Sequence, residues 1–156
     1  MELILLRHAH VETQAPGNDD LARPLSPRGE AEADSAARWI AAHGTPTRVL
    51  CSTAQRTRQT AERVLAATGV IEIRDDARIY DATPGTLLEV LGEHRDTERL
   101  LLVGHNPGLE SLVALLATGQ SGDHRGMPPA SIAVLSLPAD APTEPGMARL
   151  TTFWSP

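Results

Sequence analysis

The sequence predicts a three-layer α/β/α fold around a mostly parallel sheet, and three observations carry that expectation. ELILL (2–6) and RLLLVG (99–104) are short apolar runs without alternation, as strands covered on both faces of a parallel sheet require. Helical patterns lie between the strand candidates. Proline after serine, threonine or asparagine marks the helix starts, and glycine marks their ends.

Taken in order, the first strand is followed by Ser26, placed to cap a helix whose first residue is Pro27. RGEAEADSAARWIAAH continues that helix and Gly44 stops it. TRVLC (47–51) is the next strand candidate. AQRTRQTAERVLAAT (54–68) reads as a helix closed by Gly69, which is free to turn left-handed. VIEIR (70–74) is a weaker strand candidate. Thr83 and Pro84 open GTLLEVLGEH, Asn106 and Pro107 open GLESLVALLAT, and RLLLVG lies between these two helices. SIAVLSL (131–137) and MARLTTF (147–153) are expected as two strands at an antiparallel edge. APGNDDLARP (15–24), TGQSGDHRGMPP (118–129) and PADAPTEPG (138–146) read as surface loops too short to divide the chain. Residues 1–156 are therefore expected to form one domain.

Composition narrows the function classes. A chain of 156 residues can bury roughly 70% of the surface it exposes unfolded. With 41% apolar and 3% aromatic residues, its core must be built from Leu, Val, Ile and Ala. The net charge of −6 and the scattered arginines argue against a nucleic-acid platform. All 14 basic residues are Arg, so any basic site is an arginine site, with the planar fork that suits phosphate. A single cysteine, Cys51, excludes an internal disulfide and reads as a buried structural thiol. The apolar run after Met1 is too short for a signal peptide or a membrane span, so a cytoplasmic protein is expected.

In open α/β sheets ligands bind beyond the carboxyl ends of the strands. Arg7 and His8 end the first strand, and His105 ends LLLVGH in the same manner. Arg56 lies in the first turn of the helix after VLCST, whose start belongs at the same edge. Four side chains from three strand ends thus converge. Two guanidinium forks and helix N-termini with free N–H groups suit a tetrahedral dianion, which points to phosphate. Nearby arginines lower the pKa of a histidine there, keeping a ring nitrogen free to attack phosphorus. One histidine can serve as nucleophile while the other donates to the phosphoryl oxygens.

LRHAH, STAQRTRQTA and VGHNPGLE, in this order and spacing, resemble the histidine phosphatase superfamily, whose hallmark is Arg-His-Gly after the first strand. The short length, RPLSPRGEAEA after the first loop and IYDATPGTLLEVL before the VGHNPG strand resemble its small SixA-type phosphohistidine phosphatase branch. The resemblance spans nearly the whole chain and is weakest after about residue 140. It implies a phosphoglycerate mutase-like fold and a phosphatase that needs no cofactor. It also implies that His8 forms a phosphohistidine intermediate while Arg7, Arg56 and His105 bind and polarise the phosphoryl group. Ala9 stands where the family has glycine. Larger members carry the acid that protonates the leaving group on an inserted helical segment. Only 49 positions separate Arg56 from His105, so no such lid fits. Asp81 in IYDAT is the first candidate for this acid, with Glu12 second.

An uncovered pocket would admit a phosphorylated side chain on a protein surface, and equally a small phosphoester. A phosphoramidate P–N bond needs only modest protonation of its leaving group, so a site with a weak acid loses least on phosphohistidine. Protein phosphohistidine is therefore the expected substrate. A phosphatase of small phosphomonoesters and a non-catalytic phosphate-binding module are the alternatives. No nucleic acid and no membrane is expected as partner, and no residue pattern bears on oligomeric state.

The remaining polar residues have plainer readings. Arg58 and Arg63 are expected at the surface, Arg63 facing Glu62 or solvent, and Arg28 faces water as readily as the loop. His43, His94 and His124 are expected to be solvated or capping. His8 and His10 are two apart and in an extended chain would share a face, a spacing usable by zinc. No third ligand with clear spacing follows, and two arginines would repel a cation. CSTAQRTR fails the cysteine-phosphatase loop by one residue on each side, because Thr57 stands where the arginine is needed.

Overall fold

The computed structural model describes residues 1–156 apart from Ile71 and His124. Six strands form one sheet: β1 (Glu2–Arg7), β2 (Arg48–Cys51), β3 (Ile73–Asp75), β4 (Arg99–Gly104), β5 (Ile132–Ser136) and β6 (Arg149–Trp154). Their spatial order is β3-β2-β4-β1-β5-β6. The first four are mutually parallel, while β5 runs antiparallel to β1 and β6 antiparallel to β5. The sheet is thus mostly parallel with an antiparallel edge, as the apolar runs predict. Among the described residues no large inserted helical lid is present.

Side-chain alternation divides the core into two layers. Leu3, Leu5, Leu100 and Leu102 face α3 (Pro84–Gly92) and α4 (Gly108–Thr118). Ile4, Leu6, Leu101 and Val103 face α1 (Pro27–His43) and α2 (Gln55–Thr68). Small residues on the buried stripe of α1, Ala33, Ala36 and Ala37, let it lie close against its neighbours. No helix among the described residues is long and apolar enough to cross a membrane.

The helix signals work as expected except at Asn106–Pro107. Ser26 Oγ accepts from the Gly29 N–H at 3.0 Å, and Thr83 Oγ1 accepts from the Thr86 N–H at 3.1 Å. Gly69 closes α2 at φ 76°. Asn106–Pro107 differs: Pro107 itself occupies the N-cap position after a cis peptide bond, and Asn106 reaches forward to the Glu110 N–H instead. Proline has no N–H to be capped, so the helix begins one residue late.

Two other expectations shift. The strand expected over 70–74 is the three-residue β3, Ile73–Asp75, paired with β2 from Val49 to Cys51. Ile71, within that expected strand, lies outside the described residues. Residues 15–24 are not a featureless loop but carry two 3₁₀ turns, Pro16–Asn18 and Asp20–Ala22.

The connections explain where a site belongs. β4 lies between β1 and β2, so the chain leaving β1 turns to α1 on one face and the chain leaving β4 turns to α4 on the other. This is a topological switch point, where a crevice opens at the strands' carboxyl ends. The register pairs Arg7 with Gly104 there, and the His8 N–H donates to the Gly104 carbonyl at 3.0 Å.

Candidate active site

His8, Arg56 and His105 are 8%, 4% and 6% exposed, an unusual degree of burial for groups that can carry charge. The His8 and His105 ring centroids are 5.3 Å apart, so the two strand-end histidines do face each other. The backbone carrying His8 is fixed on several sides. Its carbonyl accepts from the Ala130 N–H at 3.1 Å, and the next N–H, that of Ala9, donates to Thr60 Oγ1 at 3.2 Å.

His8 Nδ1 lies 2.8 Å from the Ala9 carbonyl oxygen. A carbonyl can only accept, so Nδ1 carries the proton and Nε2 keeps its lone pair. Burial first of all pushes the His8 pKa down to about 3; the hydrogen bond to Ala9 opposes the shift, and His105, Arg56 and Arg7 add to it. The sequence expectation of a neutral imidazole is therefore met, with desolvation rather than arginine charge as its main cause.

His105 is neutral for the same reason, its pKa pushed down to about 4 by burial and then by Arg56. Ser52 Oγ is 2.7 Å from His105 Nε2 and itself accepts from the Ala54 N–H at 3.4 Å. When the Ser52 O–H donates to Nε2, the ring proton lies on Nδ1. That atom is buried without a hydrogen-bond partner, and so are Arg7 Nε and Arg56 Nε. Three donors left open around a neutral imidazole are the complement of an oxyanion.

Each arginine is anchored by its terminal nitrogens. Arg7 Nη1 donates to the Met127 carbonyl at 2.8 Å. That carbonyl also receives Asn106 Nδ2 at 2.8 Å, while Glu110 Oε2 accepts from Asn106 Nδ2 and from the Met127 N–H. Arg56 Nη1 donates to the Asp20 carbonyl at 2.8 Å and Nη2 to Asp20 Oδ2 at 3.0 Å. Tyr80 completes this side: its ring is edge-on to His105 at 5.5 Å, and Arg56 Cζ lies 5.8 Å from its centroid.

Sequence reasoning missed Asp20, Ser52, Tyr80, Asn106, Glu110 and Met127 as site neighbours. Asn106 and Glu110 stand in the quoted VGHNPGLE. Tyr80, the chain's single tyrosine, stands in IYDAT. Asp20 and Met127 lie in stretches with no periodicity to place them.

Of the candidate acids, Asp81 is exposed, has φ 50°, and lines a hollow of about 290 Å³ with His105, Asn106 and Ser111. Glu12 is exposed, and its backbone N–H donates to Pro24. The other polar residues are accounted for. His10 Nδ1 meets Ser26 Oγ at 2.7 Å at the start of α1, while His8 Nδ1 is held by Ala9, so the two rings do not share a ligand position. Among the described residues no group of three or more His, Cys, Asp or Glu is placed to hold a metal ion. Arg63 binds Asp34 at 2.9 Å rather than Glu62, because one turn of α1 faces α2 there. Arg58 pairs with Asp75, and Arg28 with Glu32 at an exposed position. Cys51 is fully buried, and burial pushes its thiol up to about 12. His43 Nδ1 binds the Trp39 carbonyl and His94 sits by Arg48; His124 lies outside the described residues.

Residues 3–87, more than half of the chain, match the model of the histidine phosphatase superfamily, branch 1. The chain belongs to that superfamily. The match ends before His105, so it is the β1–β4 pairing that brings this histidine phosphatase's second histidine to the first. An uncharacterized protein of Mycobacterium tuberculosis is 38% identical over 162 residues, covering 97% of this chain and 99% of the relative. A protein assigned as the phosphohistidine phosphatase SixA of Agrobacterium tumefaciens has a structure that superposes with a TM-score of 0.84 at 31% identity, covering 99% of this chain and 97% of that one. A mycobacterial glucosyl-3-phosphoglycerate phosphatase shares the fold at a TM-score of 0.76 and 20% identity, covering 99% and 98%.

The low histidine pKa values make stability depend on pH in a defined direction. An unfolded histidine titrates near 6.5, whereas His8 and His105 stay neutral in the folded chain down to about 3 and 4. Below about pH 6.5 the unfolded chain therefore takes up protons that the folded chain refuses. Each ring then removes about 1.4 kcal/mol of stability per pH unit, until its folded pKa is reached. The melting midpoint is expected to fall steadily from pH 6.5 to 4.5, above the range where the paired carboxylates titrate. A flat midpoint over that interval would contradict neutral, buried rings.

Proposed function

We propose that this histidine phosphatase hydrolyses a phosphoryl group through a phosphohistidine on His8, with protein phosphohistidine as its substrate. One observation carries the reading: His8 Nε2 holds a free lone pair beside the open donors of Arg7, Arg56 and His105. In the first step Nε2 forms a bond to phosphorus as the bond to the leaving group breaks, and the three donors hold the equatorial oxygens. A phosphohistidine leaving group departs as a neutral imidazole when its other ring nitrogen already carries a proton. In the second step water bonds to phosphorus, the P–Nε2 bond breaks, and inorganic phosphate leaves.

The leaving group supports the choice of substrate. The site holds both histidines neutral, and Asp20, the carboxylate bound to Arg56, is kept ionised below the usual carboxylate range, first by the Tyr80 hydrogen bond. Such a site is poorly supplied with acid, a deficit that costs a phosphoramidate least. A small phosphomonoester is the second reading, favoured by Asp81 in the hollow beside His105, where it could protonate an alkoxide.

The test compares a phosphohistidine protein with an alkyl phosphomonoester in the presence of a chelator, followed by mapping of the alkali-stable adduct. A phosphoryl group on His8 and faster turnover of phosphohistidine are expected, with Asp81→Asn sparing it. Faster turnover of the alkyl ester, lost in Asp81→Asn, would move the assignment to the second reading. Absence of adduct and turnover together would leave a phosphate-binding module.

A further inference from the structure

We infer that Asp20 is a positioning residue which turns Arg56 so that its Nε edge, rather than its outer edge, meets the phosphoryl group. The inference rests on the phosphatase reading above and adds the residue that sets the geometry of one of its donors. A guanidinium can form paired hydrogen bonds along more than one edge. The Nη1–Nη2 edge of Arg56 is fully taken by Asp20, by its carbonyl at 2.8 Å and its Oδ2 at 3.0 Å. What remains is Nε, buried and without a partner, and the second hydrogen of Nη2 on the same side. A phosphoryl oxygen can therefore bind Arg56 without displacing Asp20.

The carboxylate is itself held from several directions. Tyr80 O–H donates to the same Oδ2 at 2.5 Å, and Arg23 Nη2 donates to Oδ1 at 2.9 Å. These partners come from three separate segments, and Tyr80 also touches His105, so the cluster ties the residue 15–24 loop to both sides of the site. The Asp20 side chain is 48% exposed while that of Arg56 is 5% exposed. A pair so accessible on one side adds little to stability, so its effect lies in orientation. Ionised Asp20 opposes phosphate by charge, and this repulsion is outweighed only if the orientation of Arg56 matters more. That balance is what the experiment reads.

The variants Asp20→Ala and Asp20→Asn, alone and with Arg56→Ala, are assayed for kcat/KM on a phosphoramidate and for inhibition by vanadate, with melting curves as a check of folding. Asp20→Ala is expected to lose about tenfold in kcat/KM and in vanadate affinity, the scale of one coupled contact. Asp20→Asn keeps an accepting oxygen and is expected to stay within about threefold of the parent protein. In the Arg56→Ala background the effect of Asp20→Ala should vanish, which a general loosening of the loop would not produce. Unchanged or tighter vanadate inhibition in Asp20→Ala, or an equal loss in the Arg56→Ala background, overturns the assignment while leaving the phosphatase reading intact. A parent protein that neither turns over substrate nor binds vanadate overturns both.

Discussion

Replacement of His8 by alanine is expected to reduce turnover by on the order of 10⁴-fold or more, because no neighbouring group can take its place as nucleophile. His105 is close, at 5.3 Å between centroids, but Ser52 engages its Nε2 and its Nδ1 bears the proton. With Ser52 donating to Nε2, neither nitrogen has a lone pair free. The backbone bonds of residue 8, to Gly104 and Ala130, do not involve the side chain, so the variant should fold. Loss of a buried ring leaves a hole, but it also removes a group that resists protonation, and the acid fall in melting midpoint should become shallower. Single-turnover assays with mass mapping check the result. A variant that retains a tenth of the parent rate would remove His8 as nucleophile.

Arg56→Ala is expected to lower kcat/KM by about 10²- to 10³-fold and to weaken vanadate inhibition with it, the scale for a preorganised donor removed from a site sheltered from water. The effect on folding should be small: the vacated partner, Asp20, keeps Tyr80 and Arg23 and is open to solvent. Unaltered inhibition by vanadate would mean that Arg56 does not touch the phosphoryl group. Arg7→Ala should behave alike in rate, and its melting midpoint should also change little, because the Met127 carbonyl keeps Asn106 Nδ2 as a donor.

Three of the four central residues were legible because each sits where an apolar run stops. A run buried on both faces fixes a strand, and a strand end in such a sheet fixes an address, so Arg7, His8 and His105 could be placed together without coordinates. Arg56 followed from its first-turn position in the helix after β2. Asp20 and Met127 were not legible, because their positions depend on how irregular segments cross the site and not on any period in the sequence. The short β3 begins three residues later than VIEIR and ends one later: VIEIR alternates, and alternation alone does not say which of its residues pair. Asn106–Pro107 misled for a local reason, since the dipeptide that so often starts a helix here makes a cis turn ahead of one.

The position of β4 between β1 and β2 bears on how the protein comes into being. His8 belongs to the first eight residues, yet the strand beside it, and the histidine facing it, arrive almost a hundred residues later. During synthesis β1 and β2 emerge early with nothing to lie between, and they cannot form their final sheet until β4 has left the ribosome. Folding is thus governed by contacts distant in sequence, which favours slow, late closure. His105 meets His8 only once β4 has paired with β1, and β5 and β6 then complete the sheet.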